Sequence, residues 1–369
     1  MRTRRGPRCV WVVLVCVLMG RCLVVQPEAE CNPVGCLPSG SLLFTLAEAS
    51  DPAVAWVSVG NPGAFVRAGE NAEIWNLASS IPSIANSEGA RGIAKSADGW
   101  LAVGNGGRIY ISTDGLTGDA WREATGSTVA TTDPLLSVAT SGTSWCAIGG
   151  NGRIARSLDG ITGDQWALAT ASGVVTTSNL KEVYAGSDRY IAVGSGGEIV
   201  YSTDGFIADN WAAATSSAVT TTNQLSAVAS GGGKLLAAGS AGTLLYSTDG
   251  LAGDIWSLAS SSGVVTANNI NQIAHDGERW VGVGAGGTII YSTDGLTGDT
   301  WTTATSSGVV TTASLLAVAH NGVRWVAVGS AGLVLVSEYP HTGDLWRLAS
   351  NSGSTTTSQL ADVNFTPDL

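Results

Sequence analysis

"YSTDGLTGDTW", Tyr291 to Trp301, decides the fold, because the chain writes it repeatedly with small changes. Its closing tryptophan recurs as Trp121, Trp166, Trp211, Trp256, Trp301 and Trp346 at a constant spacing of 45 residues, and Trp75 precedes Trp121 by 46. A catalytic centre is normally written once; a phrase written at a fixed period marks a stacked structural unit. Seven such units fill the chain from about residue 46 to its end.

Working outward from the phrase, each unit carries four short apolar runs. In the sixth they are "INQIAH" (Ile270 to His275), "WVGVGA" (Trp280 to Ala285), "TIIYS" (Thr288 to Ser292) and "WTTAT" (Trp301 to Thr305). All are rich in β-branched or aromatic residues and too short for an amphipathic helix, and glycine or Asp-Gly turns bound most of them. Composition agrees: of 369 residues 44% are hydrophobic, 13% charged and 49 are glycine, which suits short strands and tight turns. Four strands per 45 residues predict an all-β protein, a seven-bladed β-propeller of four-stranded antiparallel blades. The terminal units are worn: "WVSVGNPGAFVRAGENAEIW" (Trp56 to Trp75) lacks the phrase, and "SEYPHTGDLW" (Ser337 to Trp346) replaces it. The opening strand pattern appears once too often, at Leu46 and again at "LADV", Leu360 to Val363. A C-terminal strand over 360–365 is therefore expected to join the first blade and close the ring, protecting edges that an open row would expose.

"YSTDG…W" resembles the Asp-box, Ser-x-Asp-x-Gly-x-x-Trp, of BNR-type propellers, a group that includes sialidases, sorting-receptor ectodomains and xyloglucan-active hydrolases. "WVAVGSAG" (Trp325 to Gly332) and "GGTIIYSTDG" (Gly286 to Gly295) are most similar to the photosystem II assembly-factor-like branch. The likeness departs in spacing, because these copies read D-G-x-x-G-D-x-W. It implies that the phrase joins the third and fourth strands on the face opposite the binding site. Asp114, Asp159, Asp204, Asp249 and Asp294 are then structural, with the seven tryptophans as anchors. The residue types agree: Ser and Asp accept from nearby backbone N–H groups, Gly takes a positive φ, and Trp buries a large area. The inserted second acid, Asp119, Asp164, Asp209, Asp254, Asp299 and Asp344, either closes its own turn ahead of Trp or joins the first as oxygen ligands for Ca²⁺. The turn is the favoured of the two, and no other cofactor is expected.

Function is expected where the copies disagree. At the start of the third strand stand Arg108 and Arg153, and further along it Arg156 stands where three copies have tyrosine (Tyr201, Tyr246, Tyr291); the inner strands carry Lys181, Glu182, Asn271, Gln272 and Asp362 where most copies are small or apolar. These are the candidate binding residues, as liners of a central channel or as solvated strand ends. A sialidase-type glycoside hydrolase is the catalytic alternative; it would need Arg67, Arg108, Arg153 and Arg156 to converge with a carboxylate and a tyrosine, and its Arg-Ile-Pro signature is absent. His275, His320 and His341 have no zinc spacing. The segments between units, such as "ATSSGVVTTASL" (Ala304 to Leu315), are nearly uncharged and rich in Ser and Thr, which suits docking of a protein or a surface glycan without catalysis.

The N-terminus is a separate object. "MRTRRGPR" precedes the apolar "CVWVVLVCVLMG" (Cys9 to Gly20), so residues 1–29 read as an export signal, with an uncleaved anchor as the alternative. Residues 30–45 read as a linker in which Cys31 and Cys36 pair in an oxidising compartment, and 46–369 as the propeller. A secreted, periplasmic or cell-surface monomer follows, with no membrane insertion beyond the signal segment. The formal net charge of −11 becomes more negative once the signal's five arginines leave, which argues against nucleic-acid partners. Cys146, in an apolar run, reads as a buried free thiol.

Overall fold

The computed structural model describes residues 55–365, apart from 62–63, 70, 79–88, 98, 113–119, 125–131, 160–161, 218–219, 250–251, 294–298 and 338–343. The signal segment, Cys31, Cys36, Leu46, Asp114, Asp119, Asp294 and His341 lie outside the described residues.

Seven four-stranded antiparallel sheets form the blades of a closed ring. In the sixth, the strands are Ile270–His275, Trp280–Gly284, Ile289–Ser292 and Trp301–Thr303, matching the four sequence runs. The last strand of the chain, Gln359–Phe365, pairs antiparallel with Ala55–Asn61, so the first blade is built from both ends of the described chain. That is the closure expected from the surplus "LADV".

The period is dictated by backbone geometry as well as by apolar faces. The second strand is buried along its length in five blades and, but for one described end residue, in the other two, "WVGVG" and "WVAVG" being examples, and packs between neighbouring sheets. It ends in a glycine because the inner strand bulges at that height: a Cβ on Gly194 or Gly239 would lie 2.4 Å from Asn179 O or 1.9 Å from Gln224 O. Two residues into the following turn, Gly197 adopts φ +77° and a Cβ there would meet Thr221 O at 1.9 Å. No other residue type fits.

Each bulge turns two successive inner-strand residues toward the central channel. The bulged column holds Arg91, Leu136, Lys181, Ser226, Asn271, Leu316 and Ala361. These seven, with Gln359, line the mouth on the face where inner strands begin. The inter-blade segments lie on that same face, since Gly173, Gly263, Gly308 and Gly353 donate to the carbonyls of Gly152, Gly242, Gly287 and Gly332 in the adjacent turns.

Candidate functional site

The repeated phrase is a fastening. Its serine is buried and accepts from the first N–H of the second strand: Ser157 from Trp145 at 3.1 Å, Ser202 from Tyr190 at 2.9 Å, Ser247 from Leu235 at 2.9 Å, Ser292 from Trp280 at 3.0 Å and Ser337 from Trp325 at 3.1 Å. Its first aspartate closes the turn with one oxygen. Oδ2 of Asp159, Asp204 and Asp249 accepts from two successive N–H groups five and six residues on, at 2.8 to 3.1 Å. The indole N–H of Trp166, Trp211 and Trp256 donates to a carbonyl three residues back. All seven tryptophans of the period are buried. The other oxygen of Asp159, Asp204 and Asp249 is buried without a partner.

The second acid does not close its own turn ahead of the tryptophan. It leaves its own turn and reaches the preceding blade. Oδ1 of Asp209, Asp254 and Asp344 accepts from the N–H of Thr170, Thr215 and Thr305 at 2.9, 2.7 and 2.6 Å, and Oδ2 from the same threonine's hydroxyl. Asp299 does the same with Ser260. The carboxylate thus caps the residue that follows the previous outer strand, using both oxygens. Asp164 takes a variant of the role, meeting Arg122 of the second blade at 3.0 Å. The physical reason for the correction is spacing: the residue before the one preceding Trp faces the neighbouring sheet, where an orphan N–H waits 39 residues upstream. Among the described residues no group of three or more His, Cys, Asp or Glu side chains is placed to hold a metal ion.

The arginines do not converge. Arg108 pairs with Glu123 at 2.5 Å, Arg153 with Asp133 at 2.5 Å and Arg156 with Asp209 at 3.1 Å, each to a different carboxylate. Neither these nor Arg67 line either cavity of the channel. The geometric condition for a sialidase-type clamp is therefore not met.

The inner-strand candidates do come together, in two layers of one channel. Lys181 and Asn271 stand at the mouth on the inter-blade face, in a recess of about 220 Å³ that also contains Arg91. Below lies a cavity of about 430 Å³ that includes Glu182, Gln272 and Asp362. Gln272 Nε2 donates to Glu182 Oε1 at 2.7 Å, and Glu182 Oε2 accepts from Val228 N–H at 3.0 Å. Asp362 accepts from Ile93 N–H and Val363 N–H, both at 2.8 Å. These acids satisfy backbone donors that the bulges turn into the channel. Burial pushes the Glu182 carboxyl up to about 8, and the negative charge of Asp362 adds to it; burial likewise pushes Asp362 up to about 7. At the mouth, burial and the nearby Arg91 charge hold the Lys181 ammonium below its usual range.

Towards the opposite mouth, Nδ1 of His275 and His320 accepts from the N–H of Gly277 and Gly322 at 3.0 and 3.1 Å, and the rings pack on Trp280 and Trp325. With Nδ1 accepting, Nε2 carries the proton in the neutral ring, and each histidine closes a turn. Cys146 is a free, fully buried thiol whose pKa burial drives upward.

Sequence reasoning missed Arg91, Glu73 and Asn351. Arg91 sits in the column of Lys181 and Asn271, and comparing that column in full would have found it. Glu73 occupies the second-acid column of the first copy, two residues before Trp75, and accepts from Arg347 and Ser350 of the last blade.

No family model and no curated protein matches the sequence. Solved structures do. YCF48 from Cyanidioschyzon merolae is similar with a TM-score of 0.55 at 19% identity, over 76% of this chain and 88% of that one. A structure of YCF48 bound to D1 peptide is similar with a TM-score of 0.56 at 14% identity, over 74% of this chain and 84% of that one. The chain shares the propeller fold of the YCF48 structures, the photosystem II assembly-factor likeness that its repeat pattern suggested.

Proposed function

We propose that this chain is an exported, non-catalytic propeller that holds a protein partner on the face carrying the inter-blade segments. One observation carries the reading: that face presents equivalent valines, Val174, Val264 and Val309, exposed to 79, 80 and 78%, on a rigid polar scaffold. Large aliphatic side chains held out at the same height on separate blades cost solubility and add nothing to the core. The turns beneath them are hydrogen-bonded to the blade and tolerate only glycine at one position, so the surface is pre-formed and loses little entropy on binding. The phrase-bearing turns, by contrast, spend their polar groups on the fold. A propeller of the same fold carries a bound peptide, which supports a polypeptide partner over a glycan.

The test is site-specific photo-crosslinking in the native host, with the probe at Val264 or, as a control, at exposed Leu158 in the phrase. A discrete protein adduct at Val264 and none at Leu158 is expected. Equal labelling, or none, would sink the reading. Specific binding on a glycan array with no protein adduct would select the glycan instead. Export is checked by fractionation and by N-terminal sequencing of the mature chain.

A further inference from the structure

The mouth of the channel sits at the centre of the inter-blade face, and its charges are unbalanced. Arg91 and Lys181 both line the recess of about 220 Å³, together with Ser226, Asn271 and Gln359, and among the described residues no acidic side chain lines it. Two described arginines near that face have a carboxylate beside them: Glu123 for Arg108, and Asp133 for Arg153. Arg91 instead uses Nε to donate to Asn105 Oδ1 at 3.1 Å, and among the described residues neither Arg91 nor Lys181 forms an ion pair.

The blade does not require these cations. The same bulged position holds leucine in the third and seventh blades, serine in the fifth and alanine in the first. Burial, and then the Arg91 charge, hold the Lys181 ammonium below its usual range, so two cations stand together at a position where the other blades place none. Three neutral side chains with amide or hydroxyl groups complete a set of donors around the recess. One residue deeper, Glu182 carries a carboxyl raised to about 8, which keeps it mainly protonated at neutral pH and removes the nearest repulsion.

We propose that this mouth receives the side-chain carboxylate of an aspartate or glutamate in the partner protein, the partner segment crossing the face. The identity of the anion follows from its surroundings: valines exposed on separate blades flank the face, so the partner offers apolar residues on both sides of a single acid, and a carboxylate in mid-segment meets that pattern where a chain end does not. The recess is sized for one carboxyl-bearing side chain and not for a folded element. This inference rests on the protein-docking reading of the face and adds the chemistry at its centre.

The experiment uses the full-length chain, immobilised, and three synthetic peptides read by surface plasmon resonance. The first is acetyl-Ala-Val-Glu-Val-Ala-amide; the second replaces Glu by Gln; the third keeps Gln and has a free C-terminal carboxyl. The Glu peptide is expected to bind at least ten-fold tighter than its Gln counterpart. The double variant Arg91→Gln, Lys181→Gln is expected to erase that difference while its melting temperature does not fall, because it removes two like charges and little packing. Equal affinity of the capped peptides, a preference that survives in the double variant, or no binding at millimolar concentration each overturns the proposal. Tightest binding of the third peptide overturns the choice of a side chain. Should the Val264 crosslink still capture a protein while the peptides fail, the docking face stands and the acid-binding mouth falls.

Discussion

Asn351, in the last blade, holds both backbone groups of Trp75, in the first: Nδ2 donates to Trp75 O at 2.7 Å and Oδ1 accepts from Trp75 N–H at 2.9 Å. Three other junctions use a serine at this position: Ser216, Ser261 and Ser306 accept from the N–H of Trp256, Trp301 and Trp346 at 2.8, 2.7 and 2.7 Å, Ser306 also donates weakly to Trp346 O at 3.5 Å, and the junction before Trp211 has Ala171 instead. The junction that joins the two ends of the ring thus has two short bonds from one side chain, Asn351, and has Glu73 where other copies have aspartate. Asn351→Ala removes two hydrogen bonds and strands a backbone donor, so we expect a loss of about 1–3 kcal/mol in urea unfolding. Asn351→Ser restores the common arrangement and recovers part of that loss. Equal stability of the alanine variant and the parent would show that the junction does not limit unfolding.

The clasp made by the second acid gives a prediction that separates it from calcium. Asp254→Ala uncaps Thr215 and costs about 0.5–2 kcal/mol, the range for a lost helix-type cap. EDTA leaves the melting temperature of the parent unchanged, because both oxygens already serve Thr215. A drop on chelation, reversed by Ca²⁺, would assign these carboxylates to metal.

How legible was this in the sequence? The fold was legible because its determinants are periodic: tryptophan spacing, Asp-Gly turns and four apolar runs per unit report backbone geometry that every blade repeats. Ring closure was legible from one surplus strand. The clasps were not, since the partner of Asp254 lies 39 residues away and two acids in a short loop look alike until the blades are set side by side. The channel was half legible. Lys181, Glu182, Asn271, Gln272 and Asp362 stood out as polar exceptions, but a bulge decides which of them faces which layer, and the glycine that accommodates it lies on the neighbouring strand. Arg108, Arg153 and Arg156 stood out equally and turn out to be neutralised, because a lone sequence position does not reveal its ion-pair partner.

Glycine tolerance separates steric need from conformational preference. Gly197 and Gly142 both have positive φ, +77° and +84°, but a Cβ on Gly197 would lie 1.9 Å from Thr221 O while one on Gly142 meets nothing within 4 Å. Gly142→Ala should cost about 1 kcal/mol through backbone strain alone. Gly197→Ala should cost several times more, or prevent folding, because a carbonyl cannot yield. Similar melting temperatures for the two variants would contradict the close approach.

The period tryptophans should behave as anchors of equal rank. Trp211 and Trp256 are both buried and hydrogen-bonded through the indole to a carbonyl three residues back. Replacing either by alanine is expected to cost about 3–5 kcal/mol, the range for a large aromatic removed from a core. A much smaller loss at one of them, measured by denaturant unfolding, would mean that its blade is held chiefly by its neighbours.

The channel acids predict a pH dependence with a definite sign. In the unfolded chain Glu182 and Asp362 titrate near 4, while in the folded ring they titrate at about 8 and about 7. The native state therefore binds more protons between those values, and the stability this brings is fully present below about pH 4 and lost as pH rises through about 7 and 8. Glu73, Asp188 and Asp209 are shifted the other way by their hydrogen bonds and ion pairs; what they contribute is present above the usual carboxylate range and lost in acid. His275, held below its usual value by burial, adds stability as pH rises toward that usual value, so it is above about pH 7 that the channel pair sets the slope and the melting temperature should fall with rising pH. Glu182→Gln keeps an oxygen for Val228 N–H and removes the titration, so it should flatten that slope and gain stability relative to the parent at pH 9. Parallel curves for parent and variant across this range would show that the channel acids are already ionised and solvated by channel water.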